Sequence, residues 1–388
     1  MSKIKINIFF ILLTLTSIIL SFLLGNIFNY ISYTLIIILI FGIIYTINVS
    51  KNIEVCTKVN QDSYSVGQSG KISVTIKNYN MFPIYSLLVI NEGVIVINKK
   101  YKGKSVYLPG NESVNVNCKV NFKIRGIYEF GNNKLTFHDL FYIFNIKKTF
   151  ISKNSVVIYP KVIDVDLNSK MKVNLINNLK KMPHVSEDLY TIKDMRKYVP
   201  GDNISRINWK ASAHHGELFV KNYENNYDEK NTIFLNMNKE NFHYDLRGIQ
   251  EEFLIDSCFS IVYHSLLQKM KSSIYINNKN SNVFHITNEN NFNELAEYFV
   301  NNKSMGDKDF TDYINNNIKN VSKGDKVIII CLKIKSEYID SFFKLNESGY
   351  NITLLYYSED NDQENCIDLL QKSHIESINL FQFFNNLR

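Results

Sequence analysis

The chain has no run of five or six basic residues, no closely paired cysteines and no nucleotide-binding glycine loop. Each absence removes a class of function. Without a basic block or a nucleic-acid motif, a net charge of +7 over 388 residues argues weakly for an anionic membrane surface and hardly at all for DNA or RNA. Cys56, Cys118, Cys258, Cys331 and Cys366 are odd in number and never spaced as Cys-x-x-Cys, which disfavours a disulfide framework or a zinc site. They read as small apolar residues in a reducing compartment. Gly-x-x-x-x-Gly-Lys-Ser/Thr, Gly-x-Ser-x-Gly and His-Glu-x-x-His are all missing, so no local motif announces a nucleotide, serine-hydrolase or zinc-protease site. A catalytic site built from distant residues escapes such a search. Alanine and proline are scarce while Asn, Ile and Lys abound, a coding bias of little structural meaning. Apolar residues make up 45% of the chain, enough for packed cores in two or three domains.

Charge is also missing locally. No charged residue occurs from Ile6 to Ser50. Within that run Ile6 to Leu24 and Ile27 to Ile47 are each about the length needed to cross ~30 Å of hydrocarbon, with Gly25-Asn26 as a tight break. A cleaved signal peptide explains neither the second apolar segment nor the lack of a small-x-small cleavage site. The expectation is a two-helix membrane anchor over residues 1–51. Lys3, Lys5 and Lys51 flank the pair while its connecting turn is uncharged, which places both ends and everything that follows in the cytoplasm. No ionisable side chain lies inside the spans, so they read as tethers rather than a transport path.

From 52 to 160 apolar residues alternate, as in Ile72-Val74-Ile76 and Val114-Val116-Cys118-Val120-Phe122, with turns at Gly67 to Gly70, Pro109 to Asn111 and Gly131 to Asn133. Short alternating runs with regular turn signals predict an antiparallel β-sandwich, here a rigid spacer close to the bilayer. Residues 161–230 read as a polar linker followed by the densest motif of the chain, Asp194 to Ala213, which contains the one tryptophan, Trp209. Pro200-Gly201 suits the centre of a type II turn, and Asp202 or Asn203 can cap a helix starting near Ile204. On such a helix Arg206, Lys210 and His214 share one face, although the same residues also alternate as a strand. Glu217 to Tyr223 is strand-like. His214-His215 point apart and offer no metal site.

Arg-x-Tyr-x-Pro-Gly-Asp-x-x-x-x-Ile-Asn-Trp-Lys-x-Ser-Ala, from Arg196 to Ala213, resembles the signature of the bacterial family catalogued as domain of unknown function 58. Arg125-Gly-Ile-Tyr-Glu-Phe-Gly131, Asp139-Leu-Phe-Tyr-Ile-Phe144 and Val156-Val-Ile-Tyr-Pro160 are similar to its preceding stretches. Where that family usually has Pro-Phe-Gly-Leu-Phe after the aspartate, this chain has Leu-Phe-Tyr-Ile-Phe. The resemblance extends over essentially the whole chain. It implies a membrane-anchored protein with a C-terminal von Willebrand factor A-like domain, a non-enzymatic partner or adaptor of a MoxR-type AAA+ ATPase in maturation or remodelling of envelope proteins.

Residues 231–388 alternate strand-like and helical stretches: strands at Thr232 to Asn236, Ser273 to Ile276, Lys326 to Cys331 and Asn351 to Tyr356, with helices at Leu246 to Met270, Asn293 to Val300, Phe310 to Ile318 and Ser336 to Leu345. This predicts a mostly parallel sheet covered on both faces, in keeping with the von Willebrand factor A-like doubly wound α/β domain that the resemblance implies. Metal-binding members of that fold carry Asp-x-Ser-x-Ser at the end of the first strand. The matching positions here are Asn236, Asn238 and Glu240, a degenerate set with Lys239 alongside, too poor in carboxylates for Mg²⁺.

The candidate site is therefore an interaction or interdomain motif: Arg196, Tyr198, Pro200, Gly201, Asp202, Arg206, Asn208, Trp209 and Lys210. Its bases can receive a partner's carboxylates or a phosphate. The preferred alternative is a structural joint, in which Asp194, Asp202 and Glu217 neutralise the bases and Trp209 is wedged between domains. On that reading Trp209→Ala costs a few kcal/mol. No catalytic residue, cofactor or metal is expected. The function expected is a membrane-tethered, cytoplasm-facing protein–protein adaptor; an extracellular adhesion module and a cryptic hydrolase are the other possibilities.

Overall fold

In the computed structural model, which describes residues 2–163, 187–199, 202, 207–225, 230–323, 325–359, 363–373 and 375–385, the chain divides into two units. One comprises Met1–Lys161 with Glu297–Asn302, the other Val162–Ala296 with Lys303–Arg388.

The first unit begins with a strand, β1 (Ser2–Ile6), then helices α1 (Ile8–Leu24) and α2 (Ile27–Lys51). At 1.5 Å per residue these helices extend about 26 and 38 Å. Asn7 caps α1, its side chain accepting from Phe9 N (3.1 Å), and Gly25 and Asn26 turn the chain with positive φ. Thr14 and Ser17 of α1 and Ser32 of α2 are buried, and Ser21 Oγ donates to Asn29 Oδ1 from one helix to the other. Small polar residues thus line the seam, as they do between membrane helices, while Phe9, Phe22, Leu23, Ile27 and Ile37 face outward, unburied. Among the described residues, one helix, α2, is long and apolar enough to cross a membrane; α1 is apolar but shorter.

The rest of this unit is mainly antiparallel sheet. The strands are β2 (Ile53–Val59), β3 (Ser63–Ser65), β4 (Ser69–Asn78), β5 (Ile84–Asn91), β6 (Lys104–Leu108), β7 (Ser113–Asn121), β8 (Gly126–Glu129), β9 (Asn133–His138), β10 (Phe144–Phe150) and β11 (Ser155–Tyr159), with a short helix α3 (Glu92–Ile97). They form three sheets, ordered β1-β10-β9-β5-β6, β2-β4-β7 and β3-β11-β8, in which only the β3–β11 pairing is parallel. Alternation decides which side is buried. In β4 and β7 Ile72, Val74, Ile76, Val116, Cys118 and Val120 face a single core that they share with Leu87, Leu135, Phe137, Ile146 and Val156. Outward-facing Ser73 and Thr75 donate to Asn117 (2.8 Å) and Asn115 (2.6 Å) across the strands. Arg125 is buried, and its guanidinium donates from Nε to the Phe299 carbonyl (2.8 Å) and from Nη2 to the Asn302 carbonyl (3.3 Å), the kind of partners a buried charge requires.

Two features of this unit were not foreseen. β1, in residues expected to belong to the anchor, pairs antiparallel with β10 from Ser2↔Lys148 to Ile6↔Phe144, so the sheet is complete only with the chain's first residues. The last turns of α2 also enter the sheet core through Tyr45 and Val49, where Tyr45 donates to the Pro83 carbonyl (2.8 Å). Lys148 Nζ donates to the Ser50 carbonyl (2.7 Å) and serves the end of α2 as a cationic cap. Desolvation holds its ammonium pKa below the usual lysine range.

The second unit contains a two-stranded ribbon, β12 (Glu187–Lys197) and β13 (Phe219–Asn225), enclosing helix α4 (Trp209–His215). A six-stranded sheet follows, of β14 (Lys230–Asn236), β15 (Lys271–Asn277), β16 (Asn282–Ile286), β17 (Lys326–Cys331), β18 (Asn351–Tyr356) and β19 (Glu376–Asn379), ordered β16-β15-β14-β17-β18-β19. All neighbours are parallel except edge strand β16, which runs antiparallel to β15. The described helices are α5 (Ile249–Leu267), α6 (Glu289–Asn301, of which the residues from Glu297 count with the first unit), α7 (Phe310–Asn317), α8 (Ser336–Glu347), α9 (Glu364–Lys372) and α10 (Leu380–Asn385). Phe234, Val327, Ile329, Cys331, Ile352 and Leu354 pack with α7, α8 and α9. The alternate residues Ile233, Leu235, Ile274, Ile276, Ile328 and Ile330 are equally buried, with α5 packed along β14, β15 and β17. A sheet covered on both faces reads as continuous apolar runs rather than alternation, as in Val327 to Cys331.

Candidate functional site

The motif from Arg196 to Ala213 is built on the β12–β13 ribbon. Arg196 lies opposite Val220 and Lys197 opposite Phe219, and beyond the strand Tyr198 N donates to the Leu218 carbonyl (2.8 Å). The Arg196 guanidinium meets Asp202 as a fork, Nη1 to Oδ2 and Nη2 to Oδ1, both 2.7 Å. Asp202 Oδ2 also accepts from Val199 N (2.9 Å). Pro200, Gly201 and Arg206 lie outside the described residues, as do the turn expected at Pro200-Gly201, the Asp194 side chain and the linker from 164 to 186.

The described helix of the motif runs from Trp209 to His215 and is capped by Asn208, whose Oδ1 accepts from Ala211 N (3.3 Å). The helix start expected near Ile204 and the cap expected at Asn203 lie outside the described residues, and Asp202 is engaged by Arg196. Helix therefore prevails over strand here. Asn208 N donates to the Phe219 carbonyl (2.9 Å), Asn208 Nδ2 to Met195 Sδ (3.1 Å), and Ser212 Oγ accepts from Phe219 N (2.9 Å). Ile207 bridges to Val220, and both are buried. Asn208 and Ser212 thus lock α4 onto β13.

Trp209 is 64% exposed, and Met195, Val199 and Leu218 are also exposed. Lys197 pairs with Glu217, so the two described acids of the motif, Asp202 and Glu217, each hold a base of the ribbon. Lys210 is exposed on α4 one residue from Trp209, and among the described residues no carboxylate pairs with it. Sequence reasoning missed Met195 and Leu218, which are ordinary apolar residues by type; only their outward placement marks them.

The second candidate, at the carboxyl ends of β14 and β15, brings together Asn236, Asn238, Asn277 and Asn278, all buried. Asn236 Oδ1 accepts from Asn238 N (3.1 Å) and Asn238 Oδ1 from Glu240 N (3.1 Å). Asn238 Nδ2 and Asn277 Nδ2 both donate to the Lys308 carbonyl (3.2 and 3.0 Å), and Asn278 Oδ1 accepts from Met305 N (2.9 Å). These amides stitch the turn after β14 to the 303–308 loop. The Glu240 carboxylate lies 3.8 Å from Lys335 Nζ. Burial raises the Asp309 pKa, but hydrogen bonds from the Thr311 hydroxyl and from Asp312 N and Thr311 N outweigh it and hold the carboxyl below its usual range. Asp309 caps α7. Amide N–H donors are poor partners for a hard cation, and among the described residues no group of three or more His, Cys, Asp or Glu is placed to hold a metal.

Residues 194–285, from β12 into β16, match the family model described as "Protein of unknown function DUF58". No curated protein matches the sequence. Among solved structures the chain is similar to a CARDB domain from Pyrococcus furiosus (19% identity, 28% of this chain and 92% of that one, TM-score 0.20). It is similar also to the SpRpn10 VWA domain (12% identity, 39% and 88%, TM-score 0.28) and to proximal thread matrix protein 1 of the mussel byssus (9% identity, 41% and 46%, TM-score 0.30).

Proposed function

We propose that this chain is a membrane-anchored adaptor that docks other polypeptides through the Trp209 surface. The observation that carries the reading is Trp209 itself: a large aromatic, 64% exposed, fixed by a helix that Asn208 and Ser212 bind to the ribbon. Tryptophan is among the residues enriched at interface hot spots. The partner we infer, from the resemblance of the motif, is a MoxR-type AAA+ ATPase acting in protein maturation or remodelling at the envelope. The second unit is then a von Willebrand factor A-like doubly wound domain. Its strand order, antiparallel edge strand and two covered faces support that reading.

In this proposal both α1 and α2 cross the bilayer as a hairpin and the remaining domains face the cytoplasm. The pairing of β1 with β10 supports it, because it holds the residue before α1 and the residue after α2 in one folded unit. A non-enzymatic role is part of this proposal, and desolvation pushes the buried Cys258 and Cys331 thiols up to about 12, which removes those two as nucleophiles at neutral pH. The test is capture from membranes by the full chain, compared with Trp209→Ala and Lys210→Glu. Loss of an ATPase partner in the variants, with unchanged melting, supports docking; retention of every partner by both variants overturns it. A reporter fused after Arg388 that is active only outside the cell overturns the orientation.

A further inference from the structure

We propose that the edge of the sheet unit around α2 is seated in the headgroup layer of the bilayer, with Met81, Leu140, Phe141 and Tyr142 as the inserted side chains. This rests on the reading of α1 and α2 as a membrane hairpin. The sheet unit does not wait for α2 to end. Pro83 receives the Tyr45 hydroxyl (2.8 Å), Asn80 Nδ2 donates to the Asn48 carbonyl (2.7 Å), and the Phe82 ring lies edge-on to Phe41 (6.2 Å) and Tyr45 (5.9 Å). From another side the Asp139–Phe144 loop abuts the same turn of α2: a Cβ on Gly42 would stand 3.1 Å from the Phe144 ring and 3.4 Å from Asp139 Oδ2. That loop also reaches α1, where Asn7 N donates to the Ile143 carbonyl (2.8 Å).

The length of helix left free is therefore short. From Ile27 to Gly42 α2 has about 24 Å at 1.5 Å per residue, and α1 has about 26 Å. A hydrocarbon core is ~30 Å thick. A bilayer of ordinary thickness must meet the loops that grip α2, and these loops are apolar where they meet it. Met81 is 84% exposed, Tyr142 63%, Phe141 47% and Leu140 41%. Aromatic side chains at this level match the belts that flank membrane spans, and a short span draws its flanking residues into the interface. Tyr142 also holds φ at +56°, a conformation that costs a bulky residue energy, and its ring stacks on His138 with centroids 5.0 Å apart.

Depth-resolved fluorescence on the full chain tests this. In a Trp209→Phe background, tryptophan is introduced singly by Phe141→Trp, Met81→Trp, Ile37→Trp and Ile151→Trp. Each protein is reconstituted in vesicles of phosphatidylcholine and phosphatidylglycerol carrying quencher lipids, brominated near the carbonyl end of the acyl chain. Ile151 follows the far end of β10, seven residues beyond Phe144 and about 23 Å along the strand, so it should stay in water. Severalfold quenching at 141 and 81 but not at 151 supports the proposal. Quenching at 37 without quenching at 141 and 81 overturns it, leaves the anchor intact and is also what a rim covered by another polypeptide would give. No quenching at 37 removes the anchor itself, and equal quenching at 151 puts a different face on the bilayer.

Discussion

Arg196 and Asp202, six residues apart, close the loop between them through two parallel hydrogen bonds of 2.7 Å. The carboxylate takes a further bond from Val199 N. Planar two-point pairing is specific to arginine. Asp202→Ala is expected to lower the stability of the full chain in detergent by about 1–2 kcal/mol, and Arg196→Lys to lose most of the same amount because an ammonium cannot fork. Equal melting temperatures for Arg196→Lys and the parent count against this account.

Trp209→Ala should change stability by less than about 1 kcal/mol, the range of exposed positions, and not by the few kcal/mol that burial between domains implies. Thermal melting of the full chain decides between them. A drop of several degrees restores the joint; a small one with loss of partner capture leaves the docking surface.

Tyr142 occupies the place where the resembling family has glycine, and its φ of +56° is the backbone that glycine adopts freely. Tyr142→Gly is therefore expected to melt within about 1 kcal/mol of the parent, strain relief offsetting the entropy of glycine. A β-branched Tyr142→Ile should cost about 1–2 kcal/mol. The two variants melting alike would falsify the strain argument.

Lys326, at the start of β17, carries a pH dependence. Desolvation lowers its ammonium to about 8 from the usual 10.5, Glu376 opposing in part. Between those values the unfolded chain binds the proton that the folded chain has released, so stability rises as pH increases. The expected gain from pH 8 to pH 10 is about 2 kcal/mol, read as a rising melting temperature. Lys326→Met should flatten that rise.

Much of the second unit was legible. The strands at Thr232, Lys326 and Asn351 are continuous apolar runs, and the helix near Leu246 is long enough to be unambiguous. β17 and β18 run as expected, Lys326–Cys331 and Asn351–Tyr356. The edge strands β16 and β19 were not foreseen, because an edge is only half buried and its sequence, Asn-Val-Phe-His-Ile or Glu-Ser-Ile-Asn, carries no strong period. In the motif, Ile207 to Ala213 satisfies a helix and a strand equally. The bond from Ala211 N to Asn208 Oδ1 and the latch from Phe219 N to Ser212 Oγ decide for helix.

Local chemistry determined by itself the uncharged apolar segments at the start of the chain, the alternating strands of the sheet unit and the α/β rhythm that follows, since hydrophobic periodicity is written residue by residue. Only the tertiary structure decided that Ser2–Ile6 pairs into a sheet, that Trp209 faces outward and that Phe41 to Lys51 is gripped by loops some tens to a hundred residues away. Burial and pairing depend on which segments meet in space, and a single sequence does not record those meetings.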